Sequence, residues 1–273
     1  MDKYEKIRYW VEDLPKRGKT TFTQKDVDSQ FAEMTRQNIS NALNRLVIKK
    51  KIQSVWRGFW VVVPVEYGLS GIVDPVEYID QLMKHLGKQY YIGLLSAASL
   101  HGAAHQQPME LMLVSNARSL RDKVKDDVKI SFVTRKDIPH KYLQQRMTRN
   151  GYINVSSPEL TAMDLLAYVK QIGGINRAAT ILNELVEVVH FESVGNDFFG
   201  FFDTTIIQRA GYLLDELGFT EQANIFHEKA QKANLNFRTF PLCFEKNTNV
   251  LKEFPIDKKW KLIINEIIET DDL

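Results

Sequence analysis

Over the first 64 residues the apolar positions change period in an order that predicts three helices and a hairpin. Tyr4, Ile7, Tyr9, Trp10, Val11 and Leu14 follow a helical pattern that ends before Pro15 and the turn Lys16-Arg17-Gly18. The short extended stretch Thr20-Thr21-Phe22 leads to Thr23, placed to cap a helix that carries Val27 and Phe31 at i, i+4. After a turn around Glu33 and Met34, Thr35 caps a third helix. Its apolar positions Ile39, Leu43, Leu46 and Val47 share one face. Residues 52–56 and 59–63 are β-prone runs joined at Arg57-Gly58 and closed by Pro64, a hairpin pattern. Helix, short strand, helix, turn, helix, hairpin is the order of a winged helix-turn-helix.

Residues 65–75, with Gly68, Gly71 and Asp74-Pro75, read as a boundary. The pattern predicts a helix from Pro75 through Val76, Ile79, Leu82, Met83 and Leu86 that ends at Gly87. A small-residue apolar helix is expected over Tyr90-Tyr-Ile-Gly-Leu-Leu-Ser-Ala-Ala-Ser-Leu-His-Gly102, and buried strands over 111–114 and 128–133. Ser157-Pro158-Glu159 opens a helix through Leu160, Met163, Leu166 and Val169, which Gly173-Gly174 breaks before another at 177–189. Residues 206–217 and 222–233 form a helical hairpin, stopped by Gly218 and restarted with Thr220 as cap. Residues 260–264 add one more strand or helix. The expected class is α+β: a winged helix-turn-helix over residues 1–70, then a larger mixed α/β domain over 71–273 whose strand order the pattern does not reveal.

The chain of 273 residues, 44% hydrophobic and 26% charged, is long enough to fold around its own core. Its single cysteine, Cys243, excludes an internal disulfide and a cysteine-held structural zinc. No apolar run is long enough to span a bilayer and the first residues lack a signal-peptide core, so a soluble cytoplasmic protein is expected. Charge changes the picture once the chain is divided. The first 64 residues hold about 13 basic and about 7 acidic side chains, roughly +6, against a whole-chain net of +2.

That basic excess gathers on the third helix. With its apolar face packed inward, the outer face presents Arg36, Gln37, Ser40, Asn41, Asn44 and Arg45, with no acidic residue among them. Side chains of this kind reach base edges and phosphates in a major groove. Lys49, Lys50 and Lys51 follow, and Arg57 sits at the hairpin tip, where a wing meets the sugar-phosphate backbone. The expectation is binding to double-stranded DNA. Arg36, Gln37, Ser40, Asn41 and Asn44 are placed at the groove, with Arg45, Lys49, Lys50, Lys51 and Arg57 on phosphates. A solvated polar face whose basic end complements the helix dipole is the bland alternative.

Catalytic patterns are sparse. His101 and His105 stand four apart without the glutamate of a metalloprotease helix. Gly18-Lys19-Thr20 matches the end of a phosphate-binding loop but precedes a strand rather than following one. Cys243, between Phe240, Leu242 and Phe244, reads as a buried inert thiol. Glu110, Glu159 and Asp164 invite a metal-dependent nuclease, yet no paired carboxylates and lysine share one hairpin end. No metal site, cofactor or enzyme activity is expected.

The winged-helix pattern, then Tyr90-Tyr-Ile-Gly-Leu-Leu-Ser-Ala-Ala-Ser-Leu-His-Gly102 and Ser157-Pro-Glu-Leu-Thr-Ala-Met-Asp-Leu-Leu166, resembles the AbiEi abortive-infection antitoxins, also described as transcriptional regulators of viral defence systems. Arg209-Ala-Gly-Tyr-Leu-Leu-Asp-Glu-Leu-Gly218 and Trp260-Lys-Leu-Ile-Ile-Asn265 fit the same family. The resemblance implies a bifunctional bacterial protein of a phage-defence system. Its N-terminal domain represses its own two-gene operon at inverted repeats, and its C-terminal domain neutralises a nucleotidyltransferase-like toxin without a stable complex being required. The Gly-Ser turn and paired aspartates of the toxin fold are not found in this chain. Beside this stand two alternatives: a repressor whose C-terminal domain senses a small ligand, and a DNA-targeted nuclease. Arg118, Arg121, Lys123, Arg135, Arg146 and Arg149 are candidates for a toxin-neutralising surface, together with Lys125 and Lys136. The same residues also fit an extended DNA surface, contact with the toxin's RNA, or a solvated face.

Overall fold

The computed structural model describes residues 2–103, 110–118, 120–125, 128–244, 247 and 249–270. The first amphipathic run forms α1 (Lys3–Asp13), which buries Tyr4, Ile7 and Val11. β1 (Thr21–Thr23) passes directly into α2 (Gln24–Gln30). There the Thr23 hydroxyl accepts from the Asp26 amide while the Asp26 carboxylate accepts from the Thr23 amide, a reciprocal cap on the helix start. Thr35 caps α3 (Arg36–Ile48) by accepting from the Asn38 amide at 3.3 Å. β2 (Ile52–Trp56) and β3 (Phe59–Val62) form the expected hairpin, and β1 pairs with the other side of β3 to give the order β1-β3-β2.

β3 has one face in each of two cores. Val62, with Ile52, packs on Ile7, Val11, Leu43 and Leu46 beside α3. Phe59 and Val61, with Val55, pack instead against Tyr78, Ile79, Leu82 and Met83 and against Ile92, Leu113 and Val155. The second group belongs to α4 (Ile79–Leu86) and a mixed sheet beyond it. The helix expected from Pro75 begins at Ile79, because Pro75–Glu77 forms a separate 3-10 turn capped by Asp74.

The sheet comprises six strands in the order β6-β7-β5-β4-β9-β8. They are β4 (Tyr90–Ile92), β5 (Glu110–Ser115), β6 (Lys123–Lys125), β7 (Val128–Thr134), β8 (Leu143–Thr148) and β9 (Gly151–Ser156). β5 runs parallel to β7, and β4 pairs parallel with β9 and antiparallel with β5. Residues 90–102 are therefore not one helix: Tyr90-Tyr91-Ile92 is a central strand, and only α5 (Leu94–Leu100) is helical. Tyr90 and Ile92 face the α4 side while Tyr91 faces the opposite helices. Both faces are apolar, so the run lacks the alternation that marks a strand.

The far face of the sheet carries α6 (Pro158–Ala167), α7 (Val169–Ile172), α8 (Ile175–Leu185), α9 (Thr204–Glu216) and α10 (Thr220–Lys232). Residues 158–166 of α6 are all buried, which puts this helix at the centre. Gly218, at φ +87°, ends α9 where a side chain would be strained, as expected. Thr220 is not a cap: Phe219 holds that position without a side-chain bond. The strands β10 (Phe240–Pro241), β11 (Ile256–Asp257) and β12 (Leu262–Ile263) close the chain as a small sheet in the order β10-β12-β11. The architecture is mixed α+β. No described helix is long and apolar enough to cross a membrane.

Candidate nucleic-acid interface

Packing decides which face of α3 is presented. Ile39, Ala42, Leu43 and Leu46 are buried, which leaves Arg36, Gln37, Ser40, Asn41, Asn44, Arg45 and Lys49 exposed along the outer face. Gln37 Nε2 donates to Asn41 Oδ1 at 2.9 Å, so two amides one turn apart are held as a pair. The Gln37 carbonyl and the Asn41 amino group then form an acceptor and a donor on adjacent turns, the combination a base edge offers in return. Tyr4 of α1 supports the other end: Arg45 lies 5.7 Å and Lys49 5.0 Å from its ring centroid. Tyr4 reads from sequence only as an apolar helix position, and its role beneath two cations becomes visible in the fold.

The remaining cations divide. Lys50, in a left-handed turn at φ +53°, donates through Nζ to the Leu69 carbonyl at 2.6 Å and is spent on the connecting segment. Lys51 is exposed but turns toward a cavity it shares with Glu12, Pro64 and Glu66. Arg57 is exposed at the hairpin tip. The hairpin itself is anchored: Trp56 meets Phe132 edge-on at 6.3 Å, Lys123 Nζ stands 5.0 Å above the Trp56 ring, and Lys125 Nζ donates to the Ser54 carbonyl. β6 thus adds Lys123 and Lys125 to the neighbourhood of Arg57.

The other basic candidates differ in what they bind. Arg118, Arg121 and Lys136 are exposed, and Arg149 is exposed but paired with Glu66 at 2.6 Å. Arg146 is a strut: it donates to the Leu100 carbonyl and to His101 Nδ1, while His101 Nε2 donates to the Ser156 carbonyl at 2.7 Å. Burial foremost, and Arg146 beside it, lowers the His101 pKa and keeps the ring neutral. Arg135 is no surface residue. Only 8% of its side chain is exposed, because it pairs with the fully buried Asp164 at 2.7 Å.

The carboxylates considered for catalysis are each engaged separately. Asp164 holds Arg135 and Tyr91, Glu159 accepts from the His190 amide at 2.9 Å, and Glu110 binds Lys129 at 2.9 Å and Ser131. Among the described residues no group of three His, Cys, Asp or Glu side chains is placed to hold a metal ion. His105 lies outside the described residues. Cys243 is only partly buried rather than fully enclosed, with burial the main cause of a raised thiol pKa.

Residues 91–216 match the family model of the AbiEi antitoxin C-terminal domain. Among solved structures, the crystal structure of the RV2827C protein from Mycobacterium tuberculosis aligns with a TM-score of 0.66 at 17% identity. The alignment covers 93% of this chain and 89% of that one, a likeness of fold. No curated protein matches the chain.

Proposed function

We propose, from the match of residues 91–216 to the C-terminal domain of the AbiEi antitoxins, that the chain is the antitoxin of a toxin–antitoxin pair and also represses its own operon. Residues 1–70 serve as a winged-helix DNA-binding unit and residues 71–273 as the antitoxin unit, its partner a nucleotidyltransferase-like toxin. The observation that carries the DNA half is the outer face of α3, where cations and amides stand exposed without a carboxylate among them. Alternating signs of charge are the pattern of a solvated, salt-bridge-laced helix face, and this face carries one sign. Arg36, Ser40 and Asn44 lie beside the Gln37–Asn41 pair and complete the groove-facing row, with Arg45, Lys49 and Arg57 on phosphates.

Binding curves on DNA from upstream of the gene, set against unrelated DNA, test this reading. Gln37→Ala combined with Asn41→Ala is expected to cost about 1 to 3 kcal/mol of discrimination per lost base contact, with non-specific binding nearly intact. Lys49→Gln is expected to weaken both DNAs alike and to lower the slope of log affinity against log salt by about one. Equal loss of the double variant on both DNAs contradicts base reading by α3.

A further inference from the structure

A second arginine, Arg209, is half-buried with its Nε enclosed, and it lacks the partners that satisfy Arg135. Arg209 on α9 lines an apolar cavity of about 310 Å³ whose walls include Leu166, Val169, Ile175, Leu242 and Phe244. One bond is made by its guanidinium, from Nη2 to the Pro241 carbonyl at 3.1 Å, while Nε is buried with no acceptor. Among the described residues no carboxylate lines the cavity. Arg135, by contrast, has Asp164 and the carbonyls of Asp137 and Phe201. Burial holds the Arg209 guanidinium below its usual pKa, yet an arginine stays charged. Cys243, also in the wall, has its thiol pKa raised by burial first and Glu266 second, so it stays neutral and supplies no anion.

A desolvated cation with an unmet donor is costly, and an anionic acceptor arriving in the cavity recovers that cost. The walls set the rest of the ligand, since aliphatic and aromatic side chains gain by covering an apolar body. Lys170 stands at the cavity edge with Nζ 5.5 Å from the Phe244 ring centroid, adding a second positive charge and no negative one. A singly charged, planar head matches one guanidinium fork better than a phosphate, which needs more donors than the cavity offers. We propose that this cavity binds a small amphipathic carboxylate, its apolar body between α6, α8 and the segment at Leu242 to Phe244 and its carboxylate on Arg209. The site is independent of the DNA-reading face on α3.

Because Cys243 is the chain's one cysteine and lines the cavity, its alkylation by iodoacetamide reports on occupancy of this site alone. The full chain is incubated with 4-phenylbutyrate or with 4-phenylbutan-1-ol, and Cys243 modification is followed by mass spectrometry. The carboxylate is expected to slow alkylation, and the alcohol to need about tenfold higher concentration for the same protection. Arg209→Met, close in volume and uncharged, is expected to remove the difference between the two compounds. Equal protection by both compounds on the unmodified chain, or protection by neither, overturns the proposal without any variant. A folded Arg209→Met chain that still prefers the carboxylate overturns it as well.

Discussion

Replacing Arg135 with Met is expected to lower the unfolding free energy by about 3 to 5 kcal/mol, the range for breaking a buried ion pair from one side. The pair ties three elements together. Arg135 follows β7, Asp164 lies on α6, and the hydroxyl of Tyr91 on β4 donates to Asp164 at 2.7 Å. Two further bonds reach the Asp137 and Phe201 carbonyls, and the guanidinium lies 4.8 Å from the Phe202 ring centroid. Without Arg135 the fully buried Asp164 keeps only the tyrosine bond, and its charge has no counter-ion.

The pH dependence follows from the same carboxyl group. Burial pushes the Asp164 pKa up to about 6 from its ordinary 3.8, against the opposing pull of Arg135. A carboxyl that holds its proton more tightly folded than unfolded loses stabilising effect as pH rises from about 4 to about 6. In Arg135→Met that opposing pull is gone and the folded pKa rises further. The deficit against the unmodified chain therefore widens as pH climbs above about 6. Urea unfolding at mildly acidic and mildly alkaline pH measures it, and a deficit independent of pH contradicts the assignment. Adding Asp164→Leu to Arg135→Met removes the stranded charge and is expected to recover part of the loss.

Gly211→Ala is expected to destabilise the protein, although in an exposed helix the same change stabilises by roughly 0.5 to 1 kcal/mol. A Cβ at Gly211 would overlap the Trp260 ring, which is fully buried against α9. The ring cannot simply tilt. Its Nε1 donates to Asp215 at 2.6 Å, its own amide donates to Asp257 at 2.6 Å, and Phe226, Phe237 and His227 surround it. Overpacking of this kind costs about 1 to 3 kcal/mol. Thermal unfolding and tryptophan fluorescence measure the effect, and a higher melting temperature contradicts the close approach.

The N-terminal elements were readable because each obeys a local rule. Thr23 and Thr35 are caps followed by clean helical periods, and Arg57-Gly58 separates two β-prone runs. The outer face of α3 follows residue by residue from the inward placement of Ile39, Leu43 and Leu46. Elsewhere burial on both sides removed the signal. Tyr90-Tyr91-Ile92 is apolar throughout because both faces of the central strand are covered. The hairpin of β8 and β9 escaped notice for the opposite reason: its edge strand, Leu-Gln-Gln-Arg-Met-Thr, is mostly polar. Arg135 and Asp164 stand 29 residues apart, so a local charge reading counted Arg135 as surface. Lys123 and Lys125 reach the hairpin only through the pairing of β6 with β7, which no local pattern encodes.

We propose that one chain reads DNA through α3 and neutralises a toxin through the domain at 91–216. Removing residues 1–74 is a poor test, because Val55, Phe59 and Val61 fill the core on the α4 side and their loss exposes it. The direct measurement keeps the chain whole. The product of the adjacent gene is expressed from a promoter this protein does not control, alone or together with the unmodified chain or the Gln37→Ala, Asn41→Ala variant. Both forms are expected to restore growth equally, although only the unmodified chain retains operator preference. Rescue by neither form contradicts the antitoxin assignment for this partner, and loss of rescue in a folded double variant contradicts the separation of the two activities.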